Sequence, residues 1–230
     1  MPDIGLPSSA ERFTDGRLGE DLLWREVRIP RFPLPAPALF LDRDGVIVEE
    51  RLYLSDPRDV ELLPGITKLI RAARVLGMPV VEVTNQAGIA HGYFTWADFV
   101  RVENELTKVL GEQGVAIDAV FACPYHPDGQ PPYGQPHHPW RKPNPGMLLE
   151  AARLLNLDLK QSIFVGDKAT DLEAARAAGL ALGIHMLTGH GRTHEINSRA
   201  LTTKDFAVHV LTHAGEAASF LAETTRHTRD

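Results

Sequence analysis

The sequence predicts an α/β fold, a three-layer Rossmann-like parallel sheet with helices on both faces, and two observations lead to this prediction. Short apolar runs alternate with amphipathic segments from residue 38 onward. The first run, at 38–41, is apolar on both faces, which is typical of a central strand in a parallel sheet. Strands that alternate with helices form βαβ units, and such units pair their strands in parallel.

Local patterns predict the individual elements. Between residues 64 and 76, apolar side chains recur every three or four positions, which indicates an amphipathic helix. The helix at 145–155 begins with a proline, which the first helical turn tolerates because its N–H would have no partner there. We predict strands at 38–41, 79–83, 119–122, 162–165, 182–186 and 207–211. We predict further helices at 96–110, 171–178 and 216–223.

The chain is predicted to consist of an N-terminal extension and one domain. Residues 1–36 form the extension and its proline-rich connector, and residues 37–230 form the domain. Four prolines between 30 and 37 cannot continue a helix or pair within a central strand. Before them, a short helix is predicted over 19–27. A long loop at 123–144, rich in proline and histidine, interrupts the alternation, and a loop of this length is expected to be functional or flexible.

Composition excludes several classes of protein. The 230 residues are 43% hydrophobic and 23% charged with a mean hydropathy of -0.15, which excludes disordered and collagen-like chains. A net charge of -6 argues against nucleic acid as a partner, because the phosphate backbone requires a basic surface. The single cysteine, Cys123, fits a reducing compartment. No apolar stretch approaches the ~18 residues of a membrane helix, and no secretory signal opens the sequence. We expect a cytoplasmic monomer without a membrane partner.

A pair of carboxylates follows the first predicted strand. Asp42 comes at the tip of the strand and Asp44 lies two residues later, before Gly45, which allows a tight turn. Two carboxylates this close repel each other unless a cation or a shared proton stabilises them, so the pair indicates a hard cation such as Mg²⁺. One carboxylate could act as a nucleophile while the other transfers protons. The alternative is a turn in which an aspartate closes the strand.

Further polar residues follow the later strands. Thr84 and Asn85 end the second strand, where a hydroxyl and backbone N–H groups can bind an anion. Lys142 precedes a helix and could place a point charge on a phosphate, and Asp167 could complete an oxygen cage around a divalent ion. Taken singly, Thr84 with Asn85 is better explained as a helix cap or turn and Lys142 as a solvated loop residue, whereas a helix-terminal role explains Asp167 less well. Taken together and in this order, they describe phosphoryl transfer through an aspartyl-phosphate.

These residues resemble the motifs of the haloacid dehalogenase (HAD) superfamily of phosphatases. The segment 42–46 resembles the first motif, Thr84 the second, Lys142 the third, and Asp167 with Asp171 the fourth. A narrower similarity, over roughly residues 38–215, is to the group that contains the heptose-bisphosphate phosphatases and the histidinol phosphatases. It depends on the segments 40–45, 84–90, 123–124, 141–143 and 166–168. That group has no large cap domain, so an open site for a compact phosphate ester is implied.

The resemblance implies a role for each matching residue. Asp42 would be the nucleophile and Asp44 the acid and base. Mg²⁺ would be held by the carboxylates of Asp42 and Asp167 and by the backbone carbonyl of Asp44. The transferring phosphoryl group would be bound by Thr84, Asn85 and Lys142. The rest of the substrate would face Gln86, Arg141, Lys168, Glu50 and Tyr53.

The loop at 123–144 departs from the pattern of the narrower group. That group usually carries structural zinc on a Cys-x-His pair and a Cys-x-Cys pair. Here the corresponding positions hold Cys123 with Tyr125 and His138 with Trp140, and tyrosine and tryptophan are poor zinc ligands. A rearranged site could be formed by Cys123, His126, His137 and His138. Adjacent histidines point apart on an extended backbone, however, so we predict a protein without stoichiometric zinc.

The function implied by the resemblance is that of a Mg²⁺-dependent phosphomonoesterase acting on a small phosphorylated metabolite. The favoured substrate is D-glycero-D-manno-heptose 1,7-bisphosphate, from which the 7-phosphate would be removed, and the alternative substrate is histidinol phosphate. A different class, a non-catalytic phosphate-binding protein on the same fold, would have no need of Asp44.

Overall fold

A computed structural model, which describes residues 17–224, contains one sheet of seven strands within that range. The strands are β1 (Trp24–Val27), β2 (Leu39–Leu41), β3 (Val80–Asn85), β4 (Ala119–Cys123), β5 (Ile163–Gly166), β6 (Leu182–Met186) and β7 (Ala207–Leu211). Their order across the sheet is β1-β4-β3-β2-β5-β6-β7. All neighbouring pairs are parallel except β1 and β4, which are antiparallel. The prediction of a mostly parallel sheet is therefore confirmed.

Helices cover both faces of this sheet. They are α1 (Ile66–Val75), α2 (Ala87–Ala90), α3 (Trp96–Glu112), α4 (Gly146–Leu155), α5 (Ala169–Ala177), α6 (Gly191–Arg199) and α7 (Ala214–Thr224). Every residue of β2, β4 and β5 is buried. Because successive side chains of a strand point to opposite faces, burial of all of them requires a covering layer on each side. None of the helices in the described part of the chain is long and apolar enough to cross a bilayer.

Six predicted strands and five predicted helices are confirmed, with ends that shift by up to about two residues, whereas β1, α2 and α6 were not predicted. The short helix predicted over 19–27 is wrong, since residues 24–27 form β1 at the edge of the sheet. Trp24 is fully buried there and stacks on Trp96 of α3 at 5.8 Å between ring centroids. Tertiary packing overrides the weak local pattern of this segment. The division of the chain at residue 37 stays a prediction.

The missed helix α6 carries no apolar stripe that a sequence pattern could reveal. Its buried residues are Gly191 and Ser198. The Ser198 hydroxyl bonds to Nδ1 of the buried His185 ring at 3.0 Å, and Nε2 of that ring bonds to the carbonyl oxygen of Gly191 at 2.8 Å. Polar contacts to β6 thus replace the apolar face on which helix prediction depends.

Candidate active site

The predicted site residues lie at the carboxyl ends of three neighbouring strands, with Asp42 and Asp167 directly after β2 and β5 and Thr84 one residue before the end of β3. Strand β2 lies between β3 and β5, and its last residue, Leu41, pairs with Glu82 on one side and Val165 on the other. The chain leaves all three strands at this edge, so Asp42, Thr84 and Asp167 come close together. Ligands of open α/β sheets bind at such an edge.

Lys142 joins two of the carboxylates. Its Nζ lies 2.8 Å from Asp42 Oδ1 and 2.7 Å from Asp171 Oδ1, and it donates a third bond to the carbonyl oxygen of Val83 at 2.9 Å. The side chain is almost completely buried. Burial lowers the pKa of Lys142, but the carboxylates of Asp171 and Asp42 outweigh it, so that the pKa is raised above its ordinary value. The site therefore has a permanent positive charge beside Asp42.

Asp167 has one oxygen for which the described residues provide no hydrogen bond. Its Oδ2 accepts the backbone N–H of His190 at 2.7 Å, whereas its Oδ1 is buried without a partner. One oxygen each from Asp42, Asp167 and Asp171 lies within 4.8 Å of the others. Burial, together with the Asp171 and Asp42 carboxylates, raises the pKa of Asp167 to about 8. An unpartnered oxygen among converging carboxylates fits a hard divalent cation that prefers oxygen ligands.

Gly45 is required by this arrangement. Its φ is +82°, in the left-handed region, and a Cβ at this position would lie 2.4 Å from Asp167 Oδ2. The carbonyl oxygen of Gly45 also accepts a bond from the Thr188 hydroxyl at 2.6 Å. The glycine after the carboxylate pair thus allows the turn after β2 to pass directly over Asp167.

Asp44 is held by the side chain of Arg43. The guanidinium donates from Nη2 to both carboxylate oxygens, at 3.1 Å to Oδ1 and 3.0 Å to Oδ2. Arg43 is itself buried and pairs with Glu103 of α3 at 3.2 Å. Gln86 donates a further bond from Nε2 to Asp44 Oδ2 at 3.2 Å. The carboxylate of Asp44 therefore has a defined orientation, because the ion pair with Glu103 holds in place the Arg43 side chain that binds it.

The three residues that end β3 and follow it make different contacts. Thr84 is buried, and its Oγ1 accepts a bond from Gln86 Nε2 at 2.7 Å. The Asn85 side chain bonds at both ends to the backbone of Lys142, since Nδ2 donates to the carbonyl oxygen and Oδ1 accepts the N–H, both at 3.1 Å. Asn85 thus fixes the loop that carries Lys142, a role that the sequence did not suggest.

A cavity of about 380 Å³ opens beside these residues, a volume typical of sites for small ligands. All five residues predicted to face the substrate line it, namely Glu50, Tyr53, Gln86, Arg141 and Lys168. Glu50 Oε2 lies 3.3 Å from Lys168 Nζ and 3.4 Å from His190 Nε2. Burial raises the pKa of Glu50 despite these two neighbours. Asp44 and Lys142 line the same cavity, so it connects the predicted catalytic and substrate residues.

Four residues at the site lie outside the predicted set of site residues. Asp171 pairs with Lys142 and also accepts the backbone N–H of Lys168 at 3.0 Å, as an acidic residue in the first turn of a helix can. Arg43 and Glu103 support Asp44, and His190 contacts both Asp167 and Glu50. Asp171 was recognisable in the sequence, because it is an acidic residue in the first turn of α5. Nothing local to the sequence indicated that Arg43 and Glu103, 60 positions apart, would form a pair.

The loop at 123–144 is packed by aromatic rings. The Tyr125 ring stacks on the His138 ring at 4.0 Å with an interplanar angle of 4°. Cys123 Sγ lies 3.8 Å from His138 Nδ1, but that nitrogen also accepts the backbone N–H of Trp140 at 3.1 Å. Burial raises the pKa of the Cys123 thiol to about 12. The ring nitrogen of His138 that faces Cys123 is already occupied, and Tyr125 and Trp140 are poor zinc ligands. The absence of zinc stays a prediction, and elemental analysis of the purified protein would check it.

Comparisons with known proteins show which family the chain resembles. Residues 139–214 match a family model described as HAD-hydrolase-like. The chain is 44% identical over 199 residues to the D-glycero-beta-D-manno-heptose-1,7-bisphosphate 7-phosphatase of Mesorhizobium japonicum, covering 86% of this chain and 87% of that protein. It is 43% identical over 143 residues to the D-glycero-alpha-D-manno-heptose-1,7-bisphosphate 7-phosphatase of Burkholderia mallei, covering 62% of this chain and 76% of that protein.

A solved structure shares the fold. The D,D-heptose 1,7-bisphosphate phosphatase of B. bronchiseptica, complexed with magnesium and phosphate, superposes with a TM-score of 0.71 at 30% identity. The match covers 82% of this chain and 99% of that one. The similarity thus extends over nearly the whole length of the solved protein.

Proposed function

Because the chain belongs to the family of heptose-bisphosphate phosphatases within the HAD-like hydrolases, we propose that it is a Mg²⁺-dependent phosphomonoesterase that removes the 7-phosphate of D-glycero-D-manno-heptose 1,7-bisphosphate. The observation that carries the proposal is the contact of Asp42 with Lys142, within a group of carboxylates whose third member, Asp167, has an unpartnered oxygen. A nucleophile, a fixed positive charge and oxygen ligands for a divalent cation occur together, and phosphoryl transfer requires all three.

Asp42 is the nucleophile in this proposal. Its Oδ1 is held by the Arg43 N–H at 2.9 Å and by Lys142 Nζ at 2.8 Å, so Oδ2 is the oxygen that attacks phosphorus. A bond forms between Oδ2 and phosphorus while the bond from phosphorus to the sugar oxygen breaks, which gives an aspartyl-phosphate. Lys142, Thr84 and the backbone near Asn85 stabilise the negative charge on the transferring group. Asp42, Asp167 and the carbonyl of Asp44 would hold Mg²⁺, which when bound neutralises charge on the phosphoryl oxygens.

Asp44 transfers protons in both half-reactions. As an acid it protonates the departing sugar oxygen, and as a base it then takes a proton from the water that hydrolyses the aspartyl-phosphate. The second step restores Asp42 and releases inorganic phosphate. The bonds from Arg43 and Gln86 orient the Asp44 carboxylate for these transfers. A non-catalytic phosphate-binding protein would have no use for an acid at this position.

The lining of the cavity supports a substrate with a second phosphate. Arg141 and Lys168 provide positive charge at its wall, and Glu50 and Tyr53 provide groups that suit hydroxyls and a sugar face. In Lys168, the neighbouring carboxylates outweigh the effect of burial and raise the pKa, so its charge persists at neutral pH. We further propose that the chain acts in the cytoplasm as a monomer on this small metabolite, without a nucleic-acid or membrane partner.

The test is a comparison of substrates. The alpha and beta anomers of the heptose 1,7-bisphosphate, histidinol phosphate and phenyl phosphate are compared by kcat/KM, with Mg²⁺ and with chelator. We expect one of the heptose anomers to have the highest kcat/KM and chelation to abolish turnover of all four substrates. A higher kcat/KM for histidinol phosphate would overturn the substrate, turnover in chelator would overturn the Mg²⁺ requirement, and no turnover of any ester would indicate a binding protein.

A further inference from the structure

The N-terminal segment contacts the loop at 123–144 through two residues, Asp21 and Arg25, which we call the N-terminal brace. The Arg25 guanidinium lies over the Trp140 ring, 4.3 Å from its centroid. Asp21 holds the same guanidinium with bonds of 2.6 and 2.9 Å. The Tyr125 hydroxyl donates a bond to the backbone oxygen of Asp21 at 3.0 Å. The brace therefore contacts the loop near both of its ends.

Strand pairing fixes the brace relative to the loop. Arg25 lies in β1 and pairs with Phe121 of β4, and the last residue of β4, Cys123, begins the loop. On the other side, Arg25 Nε lies 3.4 Å from Glu150 of α4, the helix that follows the loop. The brace is thus attached to the elements that precede and follow the loop, and its position does not depend on the loop itself.

We propose that the N-terminal brace positions Arg141 in the substrate cavity. Arg141 Nη1 donates a bond to the backbone oxygen of Tyr125 at 2.9 Å, and Arg141 directly follows Trp140. Both aromatic residues that the brace contacts are therefore joined to Arg141, one by a hydrogen bond and the other by the chain. Aromatic packing with the guanidinium and the bond to Asp21 limits the positions that the loop can adopt.

Lys142 is held independently of the brace. Its backbone bonds to Asn85, and its Nζ bonds to Asp42, Asp171 and Val83. Loss of the brace is therefore expected to affect Arg141 and to leave the catalytic lysine in place. This expectation rests on the proposed function, in which Arg141 faces the part of the substrate that does not react, and it predicts an effect on KM and not on kcat.

The first experiment compares Arg25→Ala with Arg153→Ala. Arg153 pairs with the same Glu150 but from the exposed side of α4, at 2.8 Å, and so is a matched control. We expect Arg25→Ala to raise KM for the heptose bisphosphate roughly 3- to 10-fold, as loss of one cation–π contact and its ion pairs would. Its kcat, its KM for phenyl phosphate and all constants of Arg153→Ala should stay at the wild-type values. An unchanged KM in Arg25→Ala, or an equal rise in Arg153→Ala, would overturn the proposal.

A double-mutant cycle then tests whether the brace acts through Arg141, and it does so separately from the test of the proposed function. If the brace acts through Arg141, Arg141→Ala combined with Arg25→Ala has the same KM as Arg141→Ala alone. Additive effects would overturn the brace while leaving the role of Arg141 intact. A normal KM in Arg141→Ala would overturn the role of Arg141 and the brace with it, whereas a wild-type protein without turnover would overturn the proposed function itself.

Two further measurements distinguish a local effect of Arg25→Ala from misfolding of the variant. Tyr125→Phe removes only the hydroxyl that bonds to Asp21 and should raise KM in the same direction by a smaller factor. Hydrogen exchange of the loop amides, including that of His126, which bonds to Tyr133 at 3.1 Å, should become faster in Arg25→Ala while exchange in α1 stays unchanged. Unchanged exchange in the loop would contradict the brace, and faster exchange throughout would show that Arg25 stabilises the whole fold.

Discussion

Two buried groups of charges lie on either side of the turn after β2. The first, the Asp42 cluster, contains Lys142 with the carboxyl groups of Asp42, Asp167 and Asp171. The second, the Arg43 cluster, contains Arg43 with the carboxyl groups of Asp44, Glu82 and Glu103. Each cluster has three carboxyl groups for one cation, so composition alone does not distinguish them.

The clusters differ in how the excess negative charge is removed. Glu82 is fully buried without a hydrogen-bond partner among the described residues, and burial together with Glu103 raises its pKa well above the ordinary value. A proton on Glu82 therefore removes one negative charge from the Arg43 cluster. In the Asp42 cluster, one oxygen from each of three carboxylates lies within 4.8 Å of the others, an arrangement in which a divalent cation could replace a proton. Lys142 of this cluster lines the cavity, as do Arg43 and Asp44 of the other cluster. Convergence of carboxylate oxygens, and not burial of charge by itself, distinguishes the predicted cation site from the ion pairs that orient Asp44.

The largest expected effect is that of Asp42→Asn. The amide is nearly isosteric but cannot attack phosphorus, and it lacks the charge that would hold Mg²⁺. We expect kcat to fall more than 100-fold, measured at saturating substrate in a variant whose circular dichroism matches the wild type. More than about a hundredth of the wild-type kcat would show that Asp42 is not the nucleophile, since acid–base catalysis alone contributes about 10²–10⁴-fold. Glu82→Gln, the same change in the Arg43 cluster, is the control and should retain its kcat, because the Glu82 oxygens have no hydrogen-bond partner among the described residues.

Asp44→Asn is expected to slow both half-reactions about 10²- to 10⁴-fold while leaving Asp42 able to accept a phosphoryl group. With a substrate that has a good leaving group, protonation matters less in the first step than in the second. Rapid quenching should therefore trap phosphorylated protein, detected by mass spectrometry. No phosphoprotein in a variant that still binds substrate would contradict the two-step mechanism. Asp42→Asn, which cannot be phosphorylated, serves as the blank.

Asp167→Asn should separate stability from activity in the Asp42 cluster. In the folded protein the pKa of Asp167 is about 8, above its ordinary value of 3.8, so its contribution to stability is lost as pH rises from about 4 to about 8. In chelator, the free energy of unfolding of the wild type should therefore fall over this range, by at most about 1.4 kcal/mol per pH unit. The variant should lack the part of this fall that Asp167 causes and be more stable than the wild type at pH 8, yet inactive with Mg²⁺. Urea titrations in chelator would measure this, and lower stability of the variant at pH 8 would contradict it.

Glu82→Gln should have the smallest effect, and only on stability. Because the pKa of Glu82 is raised in the folded protein, its contribution to stability is present below its ordinary value of 4.5 and is lost as pH rises towards its folded value. The amide does not titrate, so the variant should show a flatter dependence of unfolding free energy on pH, with kcat unchanged. Mg²⁺ should not alter this difference, in contrast to Asp167→Asn. A Mg²⁺-dependent difference would show that the two clusters are not separate.

Much of the architecture could be predicted because it is recorded in local patterns. The strands β2, β4 and β5 are apolar runs of the kind that a sheet covered on both faces requires, and β3 begins as one. The helices α1 and α3 show the helical repeat clearly. The polar residues after these strands were predictable for the same reason, since a parallel sheet brings the carboxyl ends of its strands to one edge. Asp42, Thr84 and Asp167 were therefore placed together by topology before any contact was known.

Other features had no local signal. The strand β1 is only four residues long. It forms because it can pair with the free edge of β4 and because Trp24 packs against Trp96. The Asn85 amide can bind a phosphate or backbone groups equally well. It binds the backbone of Lys142 because the fold brings that loop next to it.

The sequence by itself determined the alternation of strands and helices, the edge at which the site forms and the chemical types of its side chains, because these depend on the period and order of neighbouring residues. Only the tertiary structure decided which charges pair. Arg43 could have joined any of several carboxylates, and packing of α3 against the sheet brought Glu103 to it. Likewise, Arg25 lies over Trp140 because β1 pairs with β4. Contacts between residues distant in the chain depend on the shape that the whole core adopts, and no local period encodes that shape.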